Sequence, residues 1–155
     1  MPQAGVTVRE ATPRDRAHIV GFQLQMAMET EGKSLGRELL EQGVATVIQS
    51  TDTGFYLVAE SNDQIVGSLL VTYEWSDWRN ATFWWIQSVF VDATFRRRGV
   101  YRAMHTHIHD MARSRDDICG IRLYVERSNR VAQRTYDSLG MSKSHYDMYE
   151  IDFVL

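Results

Sequence analysis

Three consecutive arginines, Arg96 to Arg98, stand between an apolar run and Gly99 in the segment FVDATFRRRGVYRAMHTHI. A helical pattern follows the glycine, so the segment predicts a strand that leads into a helix N-terminus. The first backbone N–H groups of a helix have no intrahelical acceptor, and the helix dipole adds partial positive charge there. Glycine lets a ligand approach the main chain closely. The segment therefore predicts an anion site, most often a phosphate site, with a solvated basic turn as the alternative.

The basic cluster is a local feature of an acidic chain. The 155 residues carry a net charge of −3, which argues against a general nucleic-acid-binding surface. The N-terminus lacks the apolar core of a signal peptide, and no run approaches the roughly 20 apolar residues of a membrane span. The single cysteine, Cys119, allows no internal disulfide, as is usual in a reducing compartment. We therefore expect one cytoplasmic domain over residues 1–155, with no membrane or nucleic-acid partner.

Hydrophobic periodicity predicts the elements that must position this site. After a strand at 6–10, a helix begins at Thr12–Pro13 and ends near Glu29. A second helix is predicted over 37–49. Two β-like runs joined by SNDQ predict a hairpin, and ATFWWIQSVFV, apolar on both faces, predicts a central strand.

The second half of the chain continues in the same mixed pattern. It predicts a helix over 99–113, the strand CGIRLYVE, a helix that ends at Gly140, and strand character in SKSHYDMYEIDFVL. The fold class that this order predicts is α/β (α+β). One mixed sheet of about six to seven strands would be flanked by about four helices.

Two motifs carry a resemblance to a known family. Arg96 to Tyr101 resembles the acetyl-CoA signature Q/R-x-x-G-x-G/A of the GNAT superfamily of N-acetyltransferases, although Tyr101 replaces its final Gly or Ala. The segment LYVERSNRVAQRTYDSLGM resembles the second GNAT motif, and the element order resembles the GNAT fold over the whole chain. The positions that match the second motif are Asn129, Ala132, Tyr136, Gly140 and Met141.

The resemblance implies that acetyl-CoA is the cosubstrate. The backbone of the basic loop would bind its pyrophosphate, and the preceding strand would hold the pantetheine arm and the acetyl carbonyl. The effect of Tyr101 on affinity is left open in both directions. The implied cofactor-binding residues are Ser88, Val89, Phe90, Val91, Arg96, Arg97, Arg98, Gly99, Val100, Tyr101, Arg102, Asn129 and Tyr136.

The chemistry requires a free amine and an acid for the leaving thiolate. An alkyl amine with a pKa near 10.4 is mostly protonated at pH 7, and freeing its lone pair costs about 4 kcal/mol. The resemblance implies that Tyr136 is the acid, with helix packing as the alternative. Many members carry a glutamate where this chain has Gln87, which could only orient a water. Candidate bases or acceptor-site residues are Glu29, Glu31 and Glu74.

Two further patterns have competing interpretations. In HTHIHD, helical spacing places His107 on the apolar face and His105 and His109 on the other side, so we expect no metal site. The aromatic residues of YEWSDWRNATFWW either pack the sheet or form a wall of the acceptor pocket that would suit a cation. These aromatic residues are Tyr73, Trp75, Trp78, Trp84 and Trp85.

The function expected from these patterns is acetyl transfer from acetyl-CoA to a primary amine of a small molecule or peptide, by direct attack in a ternary complex. The alternative is a non-catalytic CoA-binding or sensing domain, which Gln87 and Tyr101 keep open. The sequence leaves the acceptor, the preferred acyl chain and the choice between monomer and homodimer undecided.

Overall fold

The computed structural model describes residues 5–154, which form two compact units with their boundary between Tyr124 and Val125. The first unit contains every strand of the described chain and three helices, and the second contains one helix. The prediction of a single domain over residues 1–155 stays a prediction. The elements are β1 (Val6–Glu10), α1 (Arg16–Glu31), α2 (Arg37–Gln49), β2 (Gly54–Ser61), β3 (Gln64–Ser76), β4 (Ala81–Val91), α3 (Val100–Arg113), β5 (Ile118–Arg122) and α4 (Arg130–Ser138).

The five strands form one sheet in the order β1-β2-β3-β4-β5. The first four strands are antiparallel neighbours, and β5 lies parallel to β4. The mixed sheet is confirmed, but the predicted six to seven strands are too many. The C-terminal run forms no strand within the described residues, because alternating apolar residues satisfy a strand's side-chain pattern without supplying the ladder partner that a strand also needs.

Two apolar clusters cover the two faces of the sheet. One contains α3 residues such as Met104 and Ile108, packed with Trp84 of β4. The other contains α1 and α2 residues, including Ile19 and Val44, packed against the opposite face. Because the first unit is packed on both faces, its central strands are apolar along most of their length, as the sequence predicts.

Helix α3 crosses the sheet closely where β3 carries a glycine. A Cβ on Gly67 would lie 3.1 Å from the Phe90 carbonyl oxygen and 3.2 Å from Cγ1 of Val100. Both distances are tighter than ordinary packing. Gly67 therefore lets the N-terminus of α3 approach β4, and this contact fixes where the helix begins.

The buried face of α3 differs from the predicted one. The structure buries His105 and leaves His107 only half-buried, so the prediction for these two histidines is wrong. The sequence interpretation took Met111 as a marker of the buried side, which turns the face toward His107. The face that packs on the sheet is centred on Val100, Met104, Ile108 and Ala112.

This packing predicts a large penalty for truncating Met104, which is fully buried. We expect Met104→Ala to lower the free energy of unfolding by about 2–5 kcal/mol, because it leaves a cavity under α3. Met28→Ala removes the same atoms from an exposed position on α1 and should change stability by less than about 0.5 kcal/mol. Urea denaturation of the two variants measures both values, and equal values would contradict the assigned core.

Candidate active site

The ladder between β4 and β5 ends before β4 does. The last pair in that ladder is Trp85 with Arg122, whereas β4 continues to Val91 and stays paired with β3 as far as Gly67. Within residues 5–154, the backbone of 86–91 therefore has no ladder partner on the β5 side. Main-chain N–H and C=O groups require hydrogen-bond partners, so this open edge can pair with an extended ligand.

A bulge interrupts β4 at the same place. Ser88 has a φ of +52° in mid-strand, and the register with β3 shifts between Ser68 and Leu70. Two residues of β4, Ser88 and Val89, thus stand opposite the single residue Leu69. A left-handed residue other than glycine costs roughly 1–3 kcal/mol, and such strain concentrates at functional sites. A bulge also bends its strand and re-aims the neighbouring groups, which marks this part of β4 as a functional candidate.

The loop that follows β4 leads directly into α3. The Asp92 carboxylate accepts hydrogen bonds from the backbone N–H and the hydroxyl of Thr94, at 3.0 and 2.9 Å. Two loop residues then adopt left-handed backbone conformations, Arg97 with φ +63° and Gly99 with φ +78°. Left-handed residues beside a helix N-terminus are typical of backbone concavities that bind anions. The structure therefore contains the strand–loop–helix arrangement that the sequence predicts for an anion site.

The three arginines of this loop have different surroundings. Arg96 donates from Nε to the Val91 carbonyl oxygen at 2.9 Å and from Nη2 to the Glu29 carboxylate at 2.8 Å. Its guanidinium also lies 5.5 Å from the ring centroid of Phe90. Arg96 thus joins the loop to the end of β4 and to the last turn of α1. This clamping role cannot be deduced from the motif, because it depends on where α1 ends in space.

Arg97 and Arg98 are exposed, and neither forms a hydrogen bond or an ion pair with another residue between 5 and 154. The Arg98 guanidinium lies 5.5 Å from the ring centroid of Phe95. Both side chains therefore keep their donors for solvent or for an anionic ligand. Arg forms its strongest hydrogen bonds with phosphate and carboxylate groups.

The Tyr101 ring packs on the protein core. Its centroid lies 5.8 Å from that of His105, and its hydroxyl is 3.4 Å from His105 Nδ1. Burial, followed by the nearby His109 and Arg102, lowers the pKa of His105. The fold thus accommodates a tyrosine where the family signature has Gly or Ala. The effect of this replacement on affinity stays open.

Polar side chains line one face of the sheet beside the bulge. Gln87 donates from Nε2 to the Thr72 hydroxyl at 2.6 Å. One strand pair further on, Trp85 Nε1 donates to the Glu74 carboxylate at 2.7 Å, and Arg122 Nη1 contacts its two oxygens at 3.0 and 2.9 Å. Cross-strand register puts these residues on the same face, since Thr72, Trp85 and Arg122 are direct neighbours.

These contacts decide the chemistry of Glu74. The Trp85 hydrogen bond and the Arg122 guanidinium hold the pKa of the Glu74 carboxyl below its usual range. The Arg96 guanidinium, with Gln25, does the same for Glu29. A carboxylate with a lowered pKa is a weak proton acceptor at neutral pH. Glu31 is exposed and lies 3.8 Å from the Lys33 amine, so it belongs to neither network.

A glycine on β5 makes room for the aromatic part of this face. A Cβ on Gly120 would lie 2.6 Å from the Phe83 ring. The Arg122 guanidinium covers that ring at 3.6 Å from its centroid, and Arg79 approaches it at 4.9 Å. Sequence reasoning missed Thr72, Gly120 and Arg122, because their role follows from the register of three strands and not from any local motif.

The aromatic run around the β3–β4 turn divides between core and surface. Trp84 is buried and takes the Phe55 ring against it at 5.2 Å, so the packing interpretation is right for this residue. Trp75 and Trp78 are exposed, and Trp85 lies 6.1 Å from the Tyr124 ring. The surface-facing members remain candidates for an acceptor wall.

The second unit carries the other motif. Asn129 caps α4, since its Oδ1 accepts a hydrogen bond from the Ala132 N–H at 3.1 Å. Gly140, with φ +87°, follows the helix end. Tyr136 lies in the last turns of α4, and burial raises the pKa of its phenol. The helix-cap role of Asn129 is confirmed, whereas contacts of Asn129 and Tyr136 with a ligand stay predictions.

The comparison with known families decides the identity. A sequence profile described as the acetyltransferase (GNAT) family matches residues 22–141. The chain belongs to the GNAT family. Members of this family use acetyl-CoA as the acyl donor, so acetyl transfer is the general activity of the group. Among curated proteins, none matches the sequence at a significant level.

Solved structures agree with the GNAT assignment. A possible acetyltransferase from Clostridium difficile 630 is 40% identical, with a TM-score of 0.89 over 97% of this chain and 99% of that one. A ribosomal-protein-alanine N-acetyltransferase from Brucella melitensis biovar Abortus 2308 is 15% identical, with a TM-score of 0.77 over 96% and 99%. An aminoglycoside N-acetyltransferase in complex with CoA is 13% identical, with a TM-score of 0.76 over 98% of each chain. The last two show the fold alone.

Two searches of the described residues gave no hit. Between residues 5 and 154, no group of three or more His, Cys, Asp or Glu side chains is arranged to hold a metal ion. Over the same residues, no helix combines the length and the apolar character needed to cross a membrane.

The Arg96 clamp predicts a loss of stability that depends on pH. Arg96→Ala should lower Tm at pH 7, whereas Arg97→Ala, at an exposed position without such contacts, should leave it nearly unchanged. Because Arg96 lowers the pKa of Glu29, its stabilisation is present above the unfolded pKa and is lost as pH falls through the folded pKa. The Tm difference between wild type and Arg96→Ala should therefore shrink from pH 7 to pH 3. Equal Tm values at pH 7 would contradict the clamp.

The loop geometry predicts that Gly99 is required for ligand binding. At 100 times Kd, a ligand that binds only the folded state stabilises it by about 2.7 kcal/mol. Acetyl-CoA should raise the Tm of the wild type, and Gly99→Val should abolish this shift, because valine disfavours the left-handed φ. Gly5→Val is the matched control, since Gly5 also has a positive φ, of +98°, but no neighbour within 4 Å of an added Cβ. A full acetyl-CoA shift in Gly99→Val would refute the assignment of the loop.

Proposed function

We propose that this GNAT protein is an N-acetyltransferase that moves the acetyl group of acetyl-CoA to a primary amine of a small molecule or peptide, by direct attack in a ternary complex. The observation that carries the proposal is the open edge of β4, which ends in a left-handed loop at the N-terminus of α3. An extended arm can pair with the strand, and its phosphates can reach the loop. We also propose a cytoplasmic location, because the one cysteine is free.

The residues present fit acetyl-CoA as the acyl donor. Backbone groups of 86–91 would hold the pantetheine arm and the acetyl carbonyl, since these groups have no ladder partner on the β5 side within the described chain. The loop backbone around Gly99 and the donors of Arg97 and Arg98 would bind the phosphates. Arg96 supports the loop from behind through Val91 and Glu29. When bound, the thioester supplies an activated acyl group next to the Ser88 bulge.

Gln87 is the polar residue of β4 nearest in sequence to the bulge. Its amide nitrogen donates to Thr72, which fixes the side chain and turns its carbonyl oxygen into the remaining acceptor. That oxygen can hold a water or an ammonium hydrogen, but it cannot take the proton away at neutral pH. The proton of the attacking amine would therefore leave to solvent through an oriented water. Glu31 is the alternative acceptor of this proton, because Glu29 and Glu74 have lowered pKa values.

Tyr136 is the proposed acid. Burial raises its pKa, so the phenol stays protonated throughout the neutral range and can donate to the leaving thiolate. The assignment rests on the position of Tyr136 in the second family motif. Asn129, the cap of α4, fixes the start of the helix that carries it.

The acceptor site is proposed on the sheet face beside Gln87. Trp85 and Tyr124 offer aromatic surface there, and Glu74 contributes a carboxylate that Arg122 already neutralises. Aromatic faces attract ammonium groups. A cationic amine would therefore be held mainly by ring contacts, with little help from a free negative charge.

A non-catalytic CoA-binding domain is the second candidate. Gln87 in place of a glutamate, together with the lowered pKa of Glu29 and Glu74, favours it. The two candidates differ in turnover. A thiol-release screen with acetyl-CoA against amines, amino acids and peptides should find at least one acceptor that depends on the protein, with a matching acetylated product by mass spectrometry. Acetyl-CoA binding without turnover across the panel would favour the binding domain.

The acid assignment predicts the effect of removing one hydroxyl. Tyr136→Phe keeps the ring, so α4 should fold normally and acetyl-CoA affinity should change little. A general acid contributes about 10²–10⁴-fold, so kcat should fall by about that factor, toward the lower end because a thiolate is a good leaving group. Steady-state kinetics and calorimetry measure the two quantities. Tyr149→Phe, on an exposed ring, is the control, and wild-type kcat in Tyr136→Phe would make Tyr136 a packing residue.

The proposed absence of a protein base predicts the pH profile. If solvent takes the proton, kcat/KM should rise about tenfold per pH unit from pH 6 to pH 9, following the free fraction of an amine with a pKa near 10.4. A plateau above an apparent pKa of about 7 would instead show a base in the protein. Glu31→Gln then becomes decisive, since loss of the plateau in that variant would identify Glu31.

A further inference from the structure

The chain after α4 exposes an unusual amount of apolar surface. Residues 141–154, here called the C-terminal segment, form neither a helix nor a strand. Tyr149 is 97% exposed, Phe153 90% and Ile151 82%. Soluble proteins rarely leave such a continuous apolar patch uncovered, and larger patches mark interaction sites. The other exposed apolar residues of the segment are Tyr146, Met148 and Val154.

The C-terminal segment has the side-chain pattern of a half-buried strand. Tyr149, Ile151 and Phe153 alternate with Glu150 and Asp152, so an extended backbone would place the apolar residues on one face and the acids on the other. This stretch has the same length as β5, which has five residues. The segment therefore has the composition of a strand but lacks a ladder partner within residues 5–154.

The sheet has an open edge of matching length. β5 is last in the strand order and pairs with β4 on one side. On its other side, β5 has no ladder partner within the described chain, although all five of its residues are half-buried. An uncovered edge strand is a template for another strand, and proteins usually cover it.

We propose that the C-terminal segment of one chain adds to the β5 edge of a second copy, reciprocally, to form a two-fold dimer. Each copy carries one open edge and one unpaired segment, so a two-fold arrangement satisfies both features in both chains. Strand addition supplies main-chain hydrogen bonds, and the alternating side chains cover the apolar ground beside β5.

The exposed area is sufficient for such an interface. An aromatic side chain buries roughly 150–250 Å², and the three aromatic residues of the segment are mostly exposed. Burying them in both copies removes on the order of 1,000 Å² from water, and the three aliphatic residues and the β5 edge add to this. A stable interface buries about 1,200–2,000 Å² in total, so the segment can account for a dimer.

Cys119 provides a direct test, because it lies on β5 and is the single cysteine of the chain. Six variants would each carry one new cysteine in place of residues 148 to 153. Adjacent strands bring Cα atoms within the range of about 4.4–6.8 Å that a disulfide needs. Mild oxidation should yield a covalent dimer at one or two of these positions. Adding Cys119→Ser should abolish it, and Ser34→Cys, in the exposed α1–α2 joint, should not cross-link.

The outcomes separate the alternatives. A cross-linked dimer that depends on Cys119 supports the exchange between copies. An oxidised monomer would show that the segment pairs with β5 of its own chain, and no cross-link at any of the six positions would show that it does not reach β5. Either of the last two results overturns the proposal.

Light scattering and sedimentation of the unmodified chain give an independent readout. We expect a species of twice the chain mass of 17.9 kDa. Ile151→Lys or Phe153→Lys should raise the dimer Kd at least about 30-fold, as for a central interface residue, whereas Glu150→Lys, on the opposite face, should change it little. A monomer at all concentrations, or a dimer insensitive to both lysines, would also overturn the proposal.

Discussion

The site depends on one feature of the sheet, the point at which β4 and β5 separate. Their ladder ends at Trp85 and Arg122, and β4 continues to Val91. Pairing with β3 alone leaves one edge of the strand open, and the bulge at Ser88 turns the strand at that place. The open edge, the anion loop and the polar face beside Gln87 all follow from this separation, because they lie along the same six residues or directly after them.

The loop keeps its position through contacts that are not part of any ligand site. Arg96 connects the Val91 carbonyl to Glu29 of α1, and its guanidinium lies over Phe90, which stacks on Phe22 at 4.9 Å. A cation is thus used to build the anion site as well as to attract the anion. Preorganisation of this kind keeps backbone donors in place before a ligand arrives, which lowers the entropic cost of binding.

The sequence predicted what local chemistry decides. The helix start at Thr12–Pro13, the long central strand and the loop before α3 follow from caps, alternation and glycine, and all three are present. It failed where a partner elsewhere in the chain decides the outcome. The C-terminal run has a strand pattern without a strand, His105 is buried by the rotation of α3, and the ion pairs of Glu29 and Glu74 depend on residues 67 and 48 positions away.

The central claim is that acetyl-CoA lies along the open edge of β4 and in the loop before α3. Amide hydrogen exchange with and without acetyl-CoA tests it most directly, because it reports on backbone groups one segment at a time. The account predicts slower exchange on binding in residues 86–91 and 96–103, the two segments whose backbone groups would pair with the ligand. Saturating acetyl-CoA that leaves both segments unchanged, while protecting amides elsewhere, would contradict it.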